Sequence, residues 1–238
     1  MAILSAGLNL PVGGQQQYEF YSGGTSYWVN IFTTSGTLYV PTTKTGAVIL
    51  LVGGGGSGGG SYGNNDTGKG GGGAGGAVIH TNYTLSAGNY PIVVGIGGRG
   101  RYKVRDSGDD AAMATNCGSD SYAFSVIARG GGQGGASDNH IRACSGGCGG
   151  GGGTYRRGTN TVYQAPGGQG GGGNGVFARE QTEGAAHSID GIDGVDGTGG
   201  GGGGSSECHY YNSHSQNRSS GHANGSGGSG VVVIRVPI

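Results

Sequence analysis

Tyr210 and Tyr211 stand side by side, with His209 before them and His214 shortly after. Flat amphipathic rings beside imidazole nitrogens suit recognition better than bond-making, because they desolvate a large area at low entropic cost. Four more segments share this composition. They hold Tyr62, Asn64 and Asn65; Arg101, Tyr102, Lys103 and Arg105; His140 and Arg142; and Phe177, Arg179 and His187. Aromatic, basic and amide side chains on loops held by a stiff support form a binding surface. The plain alternative is that these are solvated connections.

Reactive constellations are missing by comparison. Serines and histidines are plentiful, but no Gly-x-Ser-x-Gly elbow sits on a strand-to-helix turn. Glutamate occurs only at 19, 180, 183 and 207, so paired carboxylates of the kind that cleave glycans are not apparent. Gly95-Ile-Gly-Gly-Arg-Gly100 matches the dinucleotide fingerprint, yet no helix pattern follows, and about four or five such matches arise by chance at this glycine content. The segment 63–69 begins like a phosphate loop, but Gly70 replaces the Ser or Thr that would hold magnesium. Asp190, Asp193 and Asp196 repeat every third residue. In an extended three-fold helix they fall about 9 Å apart, too far for one calcium ion with oxygens at ~2.3–2.6 Å, so a solvated edge is expected. Cys117, Cys144, Cys148 and Cys208 could contribute to a zinc site, remain free thiols or form a loop-bracing disulfide. The reading is therefore of a chain that is not an enzyme, with no catalytic residue, no cofactor and no metal.

Net charge is zero and 11% of residues are charged, which leaves no basic field for nucleic acid. No aliphatic stretch approaches the ~20 residues of a membrane helix, so no membrane insertion is expected. Met1-Ala-Ile-Leu-Ser5 lacks a positive residue ahead of its apolar stretch and makes a poor signal peptide. The expectation is synthesis in a host cytoplasm and release by another route, such as lysis.

The elements that must position the candidate residues are made of glycine. There are 64 glycines in 238 residues, in blocks at 53–60, 70–76, 95–100, 130–135, 146–153, 167–175, 199–204 and 225–230. Such content suggests disorder. However, the blocks are bracketed by Val48-Ile-Leu-Leu-Val52 and Val231-Val-Val-Ile234, segments that disordered chains seldom carry. Ordered glycine can adopt the polyproline-II-type extended helix, whose N–H and C=O groups point outward and need neighbours. A bundle of antiparallel glycine helices satisfies them with backbone bonds and close approach, supported by Cα–H···O contacts.

Strand patterns frame the bundle. Residues 30–40 read as a hairpin around Thr34-Ser35-Gly36. Val48–Val52 reads as a buried strand. Residues 77–84 and 90–96 read as a hairpin across Ser86-Ala87-Gly88-Asn89. Residues 122–128 form one alternating strand, and 231–236 closes the chain. Trp28, Tyr18, Phe20, Tyr21 and Tyr27 sit in a distinct stretch, 1–30, which reads as an N-terminal arm, with Trp28 a packing residue. If the strands gather at a base, run 53–60 leaves it and 70–76 returns, which puts 61–69 at the far tip. By the same count 101–118 and 136–145 are tip loops, and 154–166 lies at the base. Run 167–175 leaves again. For the chain to finish at the base, 191–197 must be a return leg turning at Thr198. Then 176–190 and 205–224 are also tip loops.

Phe32-Thr-Thr-Ser-Gly-Thr-Leu-Tyr-Val-Pro41, Ala47-Val-Ile-Leu-Leu-Val-Gly-Gly-Gly-Gly56, the 70–76 run, Tyr90-Pro-Ile-Val-Val-Gly-Ile-Gly-Gly98 and Gly227-Gly-Ser-Gly-Val-Val-Val-Ile-Arg235 form an ordered set. This set resembles the glycine-rich domains of bacteriophage tail proteins, and in particular the tip adhesins of T-even-like phage long tail fibres. The resemblance covers about residues 31–238. It implies a mostly irregular and β fold: a polyglycine-II sandwich with short strands clustered at one end and almost no α-helix. It also implies a virion location, with distal loops that bind a bacterial outer-membrane protein or surface glycan. Residues 1–30 are shorter than the attachment domain of those adhesins, and joining to a tail-fibre or other virion protein through this arm is the corresponding expectation. The alternative is a structural glycine-rich subunit of a virion appendage or surface filament.

Overall fold

The computed structural model describes residues 9–59, 67–68, 70–100, 116–135, 145–152, 154–157, 161–164, 169–170, 173–174, 193–202, 206–207 and 224–238. These residues contain no helix and fifteen strands: β1 (Gln16–Ser22), β2 (Thr25–Phe32), β3 (Gly36–Val40), β4 (Lys44–Val52), β5 (Thr67–Gly68), β6 (Ala77–Leu85), β7 (Gly88–Ile92), β8 (Ser121–Ala123), β9 (Val126–Ala128), β10 (Thr154–Arg157), β11 (Thr161–Gln164), β12 (Gln169–Gly170), β13 (Gly173–Asn174), β14 (Ser206–Glu207) and β15 (Val231–Pro237). The fold is mostly β and irregular.

Alternation sets the base. In β4, Ala47, Ile49 and Leu51 are fully buried while Val48, Leu50 and Val52 are half-buried; in β15, Val232, Ile234 and Val236 are buried. Period-two burial is the mark of strands with one face on a core. These strands belong to an antiparallel sheet of order β1-β2-β15-β4-β6. Across the core lie the β3–β7 and β8–β9 pairs, which contribute Leu38, Val40, Ile92, Ala123 and Ala128. Thus β1 and β2 extend the sheet into the stretch 16–30. Trp28 is partly buried and its indole N–H donates to Pro11 O at 2.8 Å.

Three local expectations are corrected. Residues 30–40 are not a hairpin, because β2 pairs with β1 and β15 whereas β3 pairs with β7. Nor are 77–96, since β6 pairs with β4 and β7 with β3. In both cases consecutive strands face each other across the core, as the complete burial of Phe32, Leu38 and Leu85 requires. Residues 122–128 are two strands rather than one. They join through Phe124-Ser125, both at positive φ (52° and 65°), the conformation of a type I′ hairpin turn. Phe124 stays there by packing at 5.6 Å and 5.0 Å between ring centroids against Tyr83 and Tyr90.

The glycine runs continue directly from the strands. Run 1 (53–59) follows β4, and its amides turn through three partners in succession. Gly53, Gly56 and Gly59 donate to Gly76, Gly73 and Gly70; Gly54 and Ser57 to Ser119 and Asn116; Gly55 and Gly58 to Gly228 and Gly225, all at 2.7–3.0 Å. A bonding period of three is what a three-residue-per-turn extended helix presents. The partners are run 2 (70–76), run 4 (116–119) and run 9 (224–230), all antiparallel to run 1. Carbonyls of run 1 accept from Gly98, Gly131, Gly134 and Gly202, in run 3 (94–100), run 5 (130–135) and run 8 (199–202). The surrounding runs are bonded in a closed ring, in the order 9, 3, 4, 5, 2, 8. Representative links are Gly227 to Gly98, Ser119 to Ile96, Gly118 to Gly131, Gly73 to Gly132, Gly72 to Gly202 and Gly228 to Gly200. Run 6 (146–152) lies in the notch between runs 5 and 2, and run 7 (193–197) packs on runs 8 and 9.

Candidate functional site: the distal end of the glycine bundle

Why the runs must be glycine is plain from the space around them. A Cβ at Gly56 would fall on the carbonyl of Gly132, one at Gly118 on that of Gly54, and one at Gly227 on that of Gly55. Position 71 is different: it is exposed, and its nearest atom would be 3.8 Å away. Three residues on, the sequence has Ala74, also exposed. Non-glycine residues within the runs therefore mark places where a side chain has room.

Several such residues form a polar layer where the runs approach the end opposite the sheet. Ser57 (0%), Asn116 (6%), Gln133 (4%) and Asn224 (5% exposed) lie on runs 1, 4, 5 and 9. They share one level, since Ser57 N donates to Asn116 O at 3.0 Å, Gly134 N to Ser57 O at 2.9 Å, and the Asn224 amide to Gly58 O. Ser57 Oγ makes no hydrogen bond to a described residue. Beyond this layer the described runs stop, at Gly59, Gly100, Gly135, Gly152 and Gly202. Thr67–Gly68 of β5 pairs with Ser206–Glu207 of β14, and β10 lies against β5. Two of the expected tip connections are thus joined at this end.

All the residues nominated for recognition, from Tyr62 through Arg101, His140 and Phe177 to His214, lie outside the described residues. What is described is their mount. The described residues that flank 60–66, 101–115 and 203–205 lie at the distal level, as do Gly152 and Asp193. Two parts of the up-and-down count are corrected. Run 6 is parallel to run 5, with Gly132 bonding Cys148 and Gly135 bonding Gly151, so Gly135 and Ser145 are at opposite ends and 136–145 is no simple tip turn. Consequently β10 and β11, expected at the base, sit distally. Within 167–175, β12 and β13 pair with each other, so this block doubles back instead of forming one straight leg. Composition could not reveal either point, because glycine blocks carry no directional pattern. The return leg ending at Thr198 is present: Gly197 and Gly199 have φ of +76° and +66°, and Thr198 Oγ1 donates to Val195 O at 2.6 Å. That reversal needs glycine on both sides.

The period-three aspartates have a structural task that the sequence reading missed. Asp193 Oδ1 accepts from Ser226 N at 2.6 Å and Asp196 Oδ1 from Ser229 N at 2.8 Å. These carboxylates meet outward amides of run 9 that no other described run meets. The signal was the Gly-x-Asp repeat itself. Its glycine N–H groups donate to Ser226 O and Ser229 Oγ while its aspartates accept from the same two serines. Asp190 lies outside the described residues.

Cys117 is in a disulfide, which removes it from any four-thiolate site, and Cys148 is an exposed free thiol. Among the described residues no group of His, Cys, Asp or Glu is placed to hold a metal, and no helix is long and apolar enough to cross a membrane. Gly95–Gly100 forms no helix, and residues 101–115, where the helix of a dinucleotide fingerprint would follow, lie outside the described residues.

A β base carrying a laterally bonded glycine bundle defines a glycine-rich structural module. The chain belongs to the glycine-rich domain family, whose model matches residues 33–237. No curated protein is detectably similar to it.

Proposed function

We propose that this chain is a virion adhesin, carried on a bacteriophage tail fibre, that recognises a bacterial outer-membrane protein or surface glycan. In this reading the glycine runs are polyglycine-II helices and act as a stiff mount. Tyr62, Arg101, Tyr102, His140, Arg142, Phe177, His209, Tyr210, Tyr211 and the other nominated residues supply the contacts. What supports the reading is where the described run ends lie: those flanking 60–66, 101–115 and 208–223, segments rich in Tyr, His and Arg, are at one end of the bundle, opposite the sheet. A rigid scaffold with variable loops is how proteins separate stability from recognition. The stretch 1–30 is proposed to attach the chain to the rest of the virion.

Loop exchange tests the reading. Replacing 101–115 and 208–223 by the corresponding loops of another family member spares Asn116 and Asn224, on which the bundle depends. The expected outcome is a change in which bacterial cells bind the purified chain, with its melting temperature retained. Unaltered adsorption across a panel of envelopes after both exchanges overturns it.

A further inference from the structure

Runs 6 and 7 show that the notches on the outside of the central ring are seats for one more extended chain. Another outer notch, between runs 9 and 3, holds no run among the described residues. It forms a groove of about 650 Å³ bounded by run 3, run 7 and the 33–35 turn, with Ser226, Gly227 and Ser229 along its floor. Every third amide of run 3 is directed to this side. Val94 N donates to Ser35 Oγ and Gly100 N to Ser226 Oγ, both at 3.0 Å. Between them, Gly97 makes no hydrogen bond through either N–H or C=O to a described residue, and the Gly227 carbonyl receives no N–H from one. An unmet backbone group beside a ready-made seat is a recognition feature.

We propose that this groove binds an extended segment of a partner polypeptide with glycine at every third residue. The groove continues the lateral bonding surface that runs 6 and 7 already use. A guest carbonyl accepts from Gly97 N–H, and a guest amide donates to Gly227 O. Glycine is needed wherever the guest faces run 9, for the same reason that a Cβ at Gly97 or Gly227 meets backbone. Side chains at the other two positions point to the rim, where Arg99 and Thr34 are exposed. At ~3.1 Å per residue, about six guest residues span the groove. The proposal is independent of the receptor-binding reading.

The test is amide hydrogen exchange at Gly97 in the full chain, with acetyl-(Gly-Ser-Thr)3-amide and acetyl-(Ala-Ser-Thr)3-amide as probes. The glycine peptide is expected to slow Gly97 exchange at least ten-fold at saturation. The alanine peptide should leave it unchanged, and Thr34→Trp, which plugs the basal end, should abolish the effect. If Thr34→Trp perturbs the fold, Ile96→Trp on the run 3 rim serves instead, since Ile96 is 69% exposed. Equal protection by both peptides, protection by neither at millimolar concentration, or full protection in the plugged variant overturns the proposal. So does protection that grows with protein concentration without peptide, which would assign the groove to a second copy of the chain.

Discussion

At the residue scale, the absence of a side chain is the structural information. Gly56 and Gly71 lie in neighbouring runs, yet a methyl group at position 56 lands on a backbone carbonyl, whereas one at 71 reaches solvent. Backbone cannot step aside as a side-chain tip can. Gly56→Ala is therefore expected to lose at least the ~1–3 kcal/mol typical of overpacking, and to fail to fold if the bundle cannot part. Gly71→Ala should be neutral or stabilising by about 0.4–1 kcal/mol through its effect on the unfolded chain. Thermal melting of the two variants checks the contrast; equal losses would mean that lateral packing is not what selects glycine. Asp193 and Asp196 give a second residue-scale prediction. Replacing both with alanine removes the acceptors of Ser226 and Ser229. Both carboxylates are exposed, so about 1 kcal/mol each is expected, with amide exchange accelerating at Ser226 and Ser229 before the rest of run 9.

Elements are joined at points where one hydroxyl or one turn does what a longer connection would do elsewhere. Ser121, fully buried at the start of β8, donates from Oγ to Val52 O at 2.6 Å and accepts from Gly95 N at 2.8 Å. It thereby fixes the end of β4 and the start of run 3 to the same strand. Ser121→Ala leaves two backbone groups to find other partners, and a loss of roughly 2–4 kcal/mol is expected by denaturant unfolding, against ~1 kcal/mol or less if water replaces the hydroxyl. The β8–β9 turn offers the opposite sign. Ser125 is exposed at φ 65°, so Ser125→Gly relieves a left-handed conformation and should raise stability by about 0.5–1 kcal/mol. Phe124→Ala loses the ring contacts with Tyr83 and Tyr90 and should lower it by ~1–3 kcal/mol.

For the whole molecule, the base and the bundle share their chain without linkers: Val52 leads into Gly53, Gly76 into Ala77 and Gly230 into Val231. Run 1 is bonded on all sides, so no peripheral run can leave without exposing amides of the ring. Folding is expected to be a single transition. Trp28, the only tryptophan, reports on the base, and amide exchange in runs 1 and 5 reports on the bundle. The two probes should be lost at the same temperature, and separate transitions would show that the bundle is an appendage rather than part of one cooperative unit.

Near-continuous apolar runs determined the base strands at 48–52 and 231–236, and glycine blocks bracketed by them determined that backbone bonding replaces side-chain packing. The last reversal, at Thr198, was legible from the need for the chain to finish at the base, whereas the bonds of the Gly-x-Asp repeat to run 9 were not. Which strands pair was settled only by tertiary structure: 30–40 and 77–96 have hairpin-like spacing, but burying Phe32, Leu38 and Leu85 required strands to face each other across a core. The direction of run 6 was equally invisible. A glycine block has no side chains to distinguish outward from return, so its sense is fixed solely by the neighbours whose amides it meets.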